Sequence, residues 1–142
     1  MAALRATMAD AGYDGVRTVI ASGNVVFSAR SKPSARALES LIADEFGVRT
    51  TVILRSAAQI RKLRDARPFE RNAYVAFLAA RPRSTKPIEG LDEFAVVGSD
   101  IVIHFPTGYA AAQLTGAVLE RRLGVEATVR NWNTLEKLAD LV

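Results

Sequence analysis

The chain has no cysteine and only one histidine, His104, and one tryptophan, Trp132. Without thiols there are neither disulfides nor thiolate metal sites. A zinc or iron site built on one histidine would need clustered carboxylates, which the sequence does not offer. A glycine-rich phosphate loop of the Walker or dinucleotide type is also missing, since Gly12 and Gly15 stand outside any such spacing. No metal and no nucleotide cofactor is therefore expected. No apolar run approaches the ~20 residues that a membrane-spanning helix needs, and the first residues do not form a charged start followed by an apolar stretch. The expectation is a cytoplasmic protein with no membrane partner.

What is present describes a globular chain. Its 142 residues are 49% apolar and 24% charged, enough for one ordinary domain or for two small halves sharing a core. The net charge of +4 is unevenly spread. Between Arg55 and Lys86 there are nine basic residues (Arg55, Arg61, Lys62, Arg64, Arg67, Arg71, Arg81, Arg83 and Lys86) against Asp65 and Glu70, a local +7, so the remainder carries −3. Such a segment suits phosphate or an acidic partner, or else forms the solvated face of a helix followed by arginine-rich loops.

The chain also repeats itself. Phe46-Gly47-Val48, Thr50 to Arg55, Ser56 and Gln59 correspond to Leu123-Gly124-Val125, Ala127 to Val129, Asn133 and Glu136, with 124 − 47 = 133 − 56 = 77. Upstream, Ile20 to Val26 around Ser22-Gly23-Asn24 corresponds to Val96 to Val102 around Gly98-Ser99-Asp100, with 100 − 24 = 76.

Local patterns assign elements to this repeat. Leu4, Met8 and Ala11 form a helical stripe that stops at Gly12. Val16 to Ile20 and Val25 to Phe27 read as a hairpin around Ala21-Ser22-Gly23-Asn24. Pro33 opens a helix lined by Leu38, Leu41, Ile42 and Phe46 and ended by Gly47, and Thr50 to Leu54 is the strand that follows. Ser56 and Gln59 form a capping box for a helix with Ile60 and Leu63 facing inward. Ala73 to Ala79 is nearly all apolar, the pattern of a central strand covered on both faces. A short helix at Ile88 to Glu93, strands at Phe94 to Val97 and Ile101 to Phe105, a helix over Ala110 to Leu123, a strand at Glu126 to Arg130 and a helix from Thr134 complete the order βαββαβ plus a helix.

This order predicts an α+β chain of two tandem ferredoxin-like (split βαβ) halves, residues 1–67 and 73–142. Subtracting 76 from Tyr74 to Ala79 lands at or before Met1, so the first half lacks its opening strand. In the split βαβ layout that strand lies between the third and fourth, and its absence leaves two edges unpaired. The expectation is a natural product that begins upstream of Met1, or a gap filled by strand shift or by pairing with a second chain in a homodimer.

Ile20 to Phe27, Leu114-Thr115, Leu119-Glu120-Arg121 with Leu123-Gly124, and above all Arg130-Asn131-Trp132-Asn133-Thr134, resemble the bacterial domain of unknown function 1697 family. The resemblance implies two ferredoxin-like halves and brings no established activity with it. It also implies an additional leading strand, and it marks Gln113 and Gly116 as departures, where lysine and asparagine are common.

The first candidate site is Arg130-Asn131-Trp132-Asn133-Thr134, where a cation, two amides, an indole and a hydroxyl at a strand-to-helix junction suit a planar or anionic ligand, Arg130, Asn131 and Trp132 above all. The structural alternative is that Asn133 caps the helix with Glu136 while Trp132 packs beneath. His104 alternates with Ile103 and Phe105 and so points away from them, toward the sheet face that carries Arg130. Ser22 and Asn24 read better as a hairpin turn than as a nucleophile, since a strand and not a helix follows. A triad of Ser22, His104 and a carboxylate finds no support in spacing.

These residues fit a ligand-binding module for a small anionic molecule or nucleic acid. Charge and fold permit nucleic acid, but the stacking aromatics of an RNA recognition motif are missing. The alternatives are a small enzyme with its site between the halves and an assembly protein that dimerises through its incomplete sheet.

Overall fold

The structure, a computed structural model, describes residues 2–19 and 23–142. It is mixed α+β, with a two-stranded and a four-stranded antiparallel sheet and five α-helices. The chain divides into two compact units, residues 1–54 with 140–142, and residues 55–139.

In the first unit, α1 (Ala2–Asp10) is followed by the hairpin strands β1 (Asp14–Val19) and β2 (Asn24–Ser28) and by α2 (Ala35–Phe46). The strands run in register from Arg17↔Val26 to Val19↔Asn24, and the edge of the Tyr13 ring meets Phe27 at 5.1 Å. Ser34 caps α2 by accepting from the Ala37 amide, so Pro33 precedes the cap and does not occupy the first helical turn. Gly47, at φ 66, closes the helix from the left-handed region. Phe46 is 38% exposed, against the expected inward stripe, whereas Leu38 is buried.

The expected strand at Thr50 to Leu54 is not formed, as residues 47–56 carry no ladder. Part of this run is held instead by α2, where Glu39 Oε1 accepts from the Val52 amide at 3.0 Å. An amide spent on a side-chain acceptor is not available to a ladder.

The second unit opens with α3 (Ala57–Ala66). Its capping box forms as expected: the Gln59 amide donates to Ser56 Oγ, and the Ser56 amide donates to Gln59 Oε1. Then come β3 (Ala73–Leu78), a 3-10 turn at Lys86–Ile88, β4 (Glu93–Val97), β5 (Asp100–His104), a second 3-10 turn at Tyr109–Ala111, α4 (Gly116–Leu123), β6 (Ala127–Asn131) and α5 (Trp132–Leu141). The sheet order is β4-β5-β3-β6, antiparallel throughout, with β3 inside. The continuous apolar run of β3 is thereby explained, because Val75 and Ala76, on opposite faces, are both 0% exposed.

One face of this sheet packs Ala76, Leu78, Ile101 and Ile103 with Ile88, Leu114, Leu119 and Leu123. The expected helix over Ala110 to Leu123 begins only at Gly116 because the preceding backbone is spoken for. The Gln113 and Leu114 amides both donate to Asp92 Oδ2 at 2.8 Å, and the Gly116 amide donates to Tyr109 Oη. The helix expected at Ile88 to Glu93 is likewise reduced to the turn at Lys86–Ile88.

Asp100, 2% exposed, is the one buried carboxylate among the described residues. Arg55 meets it two-pronged, Nε to Oδ2 at 2.8 Å and Nη2 to Oδ1 at 2.6 Å. The same pair satisfies both backbone groups of Leu78: Nη2 donates to its carbonyl at 2.6 Å, and its amide donates to Asp100 Oδ1 at 3.1 Å. Breaking such a pair strands a buried charge, at a cost of about 3–5 kcal/mol. Asp100→Ala is therefore expected to lower the unfolding free energy by about that amount in urea denaturation, whereas the double variant Arg55→Leu/Asp100→Leu recovers at least half of it. A loss under about 1 kcal/mol in Asp100→Ala would show that the pair is not a structural clamp.

Candidate functional site

The junction of β6 and α5 is tighter than the repeat suggests. The strand ends at Asn131 and the helix begins at the next residue, so the cap is Asn131 and not Asn133. Asn131 Oδ1 accepts from the Thr134 amide at 2.9 Å and from its hydroxyl at 3.0 Å. Asn131 is thus engaged in ending a strand and starting a helix.

Arg130 Nη1 donates to Thr128 Oγ1 at 2.7 Å and to the Val129 carbonyl at 3.0 Å. Desolvation holds its guanidinium below the ordinary arginine value. Its charge nevertheless persists throughout the working pH range. Trp132 is half-buried at the first position of α5.

His104 shares a sheet face with Arg130, since His104 lies across from Ala73, Arg130 lies across from Val75, and Ala73 and Val75 are two apart on β3. Two strand spacings and a two-residue step put their Cα atoms about 12 Å apart. His104 stacks on Phe69 at 5.3 Å, and its Nδ1 has no hydrogen-bond partner. The nearest carboxylate oxygen, Glu93 Oε2, is 3.7 Å away, close enough for attraction but too far for a hydrogen bond.

Asn24 Nδ2 donates to the Val19 carbonyl at 3.1 Å across the hairpin, the behaviour of a turn residue. Ser22 lies outside the described residues. The two departures flank the start of α4: Gln113 Nε2 donates to the Leu91 carbonyl at 2.7 Å, and Gly116 lies against Tyr109 Oη and Val129.

A different group of polar residues converges at the opposite end of the sheet. A cleft of about 290 Å³ lies between the loop after β3 and the β4–β5 turn, lined by Arg81, Arg83, Ser84, Thr85 and Ser99 over an apolar floor of Leu78, Val96 and Ile101. The turn is a two-residue hairpin loop, Gly98-Ser99, with Gly98 at φ 61 as a type II′ turn requires. A Cβ at Gly98 would stand 3.9 Å from Lys62 Nζ, so the ammonium lies beside the turn though Lys62 is not among the residues that line the cleft. Asp100 is the only carboxylate lining the cleft, and Arg55 neutralises it. Among the described residues, the side chains of Lys62, Arg81 and Arg83 have no ion pair.

Sequence reading recognised these cations only as part of a basic segment. The available signal was Arg81-Pro-Arg-Ser-Thr85 facing a small Gly98-Ser99 turn, but nothing in the spacing brings residues 62, 81 and 99 together. Among the described residues there is no group of three His, Cys, Asp or Glu that could hold a metal ion, and no helix is long and apolar enough to cross a membrane.

The profile of the family described as protein of unknown function (DUF1697) matches residues 1–103, more than half of the chain, and the chain belongs to that family. No curated protein and no solved structure matches it significantly. The matched segment contains every residue lining the cleft and ends before Arg130.

Asn131→Ala is expected to lower the unfolding free energy by about 1 kcal/mol, the worth of an N-cap. Asn131→Asp, which keeps the accepting oxygen, should hold stability near that of the parent. Equal losses in the two variants would contradict the capping role.

Proposed function

We propose that the protein is a binding module for a small anionic molecule, and that its ligand enters the cleft at the Gly98-Ser99 end of the four-stranded sheet. The observation that carries this reading is electrostatic. Two arginines without ion pairs and three hydroxyl residues line a cleft, with Lys62 beside its turn, and the one carboxylate among the described lining residues is already neutralised by a buried guanidinium. Arginine forks and hydroxyl donors match the oxygens of phosphate and carboxylate, and an apolar floor lowers the local dielectric that such contacts feel.

The proposal moves the ligand away from Arg130, Asn131 and Trp132, of which Asn131 caps α5 and Arg130 donates to Thr128 and Val129 of its own strand. An enzyme with His104 and Arg130 acting together on one reacting atom is disfavoured by the ~12 Å between them. Nucleic acid is a weaker reading, because no stacking aromatics line the cleft.

This reading goes with an architecture of two tandem ferredoxin-like halves, the first without its opening strand, in a cytoplasmic protein. The sheet order β4-β5-β3-β6 supports it, since the strands of the second half then lie in the order 2-3-1-4. The matching sequence of helix, hairpin, helix and capped helix in the first half supports it further. A second reading, assembly through the incomplete sheet, is favoured by the small two-stranded β1-β2 sheet.

Titration with inorganic phosphate, followed by amide chemical shifts, separates these readings. Shifts are expected at residues 81–85 and 98–100, weakening as salt rises and lost in Arg81→Gln/Arg83→Gln. Shifts confined to residues 128–134 would refute the placement, and concentration-dependent dimerisation without any phosphate response would favour assembly.

A further inference from the structure

We infer that the ligand of this cleft is a phosphate monoester with a flat or apolar body, of roughly mononucleotide size or smaller. The inference rests on the anion-binding reading above and adds the chemical class.

Charge count comes first. The cleft and the turn beside it carry Arg81, Arg83 and Lys62, each without an ion pair among the described residues, and the Arg55–Asp100 pair adds no net charge. Two arginines lining one small cleft, with Lys62 beside its turn, repel one another, and a monocarboxylate offsets only one of these charges. A phosphate monoester brings about −1.5 to −2 charges at neutral pH and three acceptor oxygens.

Donor geometry points the same way. Ser84, Thr85 and Ser99 offer hydroxyls from both walls, while the two guanidiniums are planar forks suited to bidentate contact. The Ser84 hydroxyl already accepts from the Lys86 amide at 3.1 Å, which leaves its own proton free to donate outward. Lys62, on α3, has its ammonium 3.9 Å from where a Gly98 Cβ would stand, so it adds positive charge beside the turn.

The floor then selects the remainder of the ligand. Val96, 57% exposed, presents apolar surface beside the arginines, with Pro82 on the loop wall, over Leu78 and Ile101, which are already buried in the core. An inorganic ion would leave that surface exposed to water, whereas an aromatic or aliphatic body would cover it. A volume of about 290 Å³ sits at the lower edge of small-molecule sites and holds a single such unit.

Calorimetric titration of the full chain with phenyl phosphate, inorganic phosphate and benzoate tests the assignment. Phenyl phosphate should bind at least tenfold more tightly than either of the others. Its affinity should fall at least tenfold in Arg81→Gln/Arg83→Gln and at least threefold in Lys62→Gln, all at exposed positions where unchanged urea midpoints verify the fold. Benzoate binding as tightly as phenyl phosphate, or unchanged affinity in Lys62→Gln, would overturn the monoester class while leaving an anion cleft in place. No response to any of the three would overturn the cleft itself. A 5′-phosphorylated ten-nucleotide strand binding more than tenfold tighter than phenyl phosphate would assign the phosphate to nucleic acid and overturn the small-molecule reading.

Discussion

Arg55 and Asp100 are 45 residues apart in the chain and form a two-pronged ion pair at 2.6 and 2.8 Å, with 13% and 3% of their side chains exposed. Removing two charges from water costs several kcal/mol per ion, and only good geometry with the remaining bonding capacity satisfied offsets it. Both conditions are met. The spare guanidinium proton goes to the Leu78 carbonyl, and Asp100 accepts from the Leu78 amide. The last residue of β3 is thereby held to the first residue of β5 and to the residue before the α3 cap. Three elements that the chain visits far apart are fixed at one end of the sheet.

The same pair sets the electrostatics of the cleft. An unpaired Asp100 would place negative charge at its base and offset one of the surrounding cations. Paired, it leaves the field to Arg81, Arg83 and Lys62. Structural clamp and anion recognition therefore depend on one interaction, seen from the core side and from the solvent side. The family match spans all of these residues, so the arrangement lies wholly inside the segment that defines membership.

Much of the fold was legible because it rests on local chemistry. The Ser56–Gln59 capping box, the Gly47 and Gly124 helix ends and the doubly buried run of β3 all came from short patterns whose physics is contained within a few residues. The failures involve tertiary partners. Thr50 to Leu54 has the composition of a strand, but its Val52 amide is taken by the Glu39 carboxylate of α2. Asn133 and Glu136 fit a capping box by spacing, yet β6 continues to Asn131 and takes the cap two residues earlier. Of the residues singled out by sequence, Asn131 and Asn24 bond to the backbone, and His104 and Arg130 share a sheet face with their Cα atoms about 12 Å apart. The cleft was hidden because its cations come from a helix and a loop, and its hydroxyls from that loop and a turn, at positions 62, 81–85 and 99, which only the folded sheet brings together.

The most direct test is native-state hydrogen exchange at the Leu78 amide, whose acceptor is the Asp100 carboxylate. If the ion pair clamps this end of the sheet, that amide exchanges only with global opening of the second unit, as slowly as the amides at the centre of β3. Exchange as fast as that of the exposed Ser84 amide would mean that the pair is not closed in solution, and both the clamp and the electrostatic basis of the cleft would fall with it.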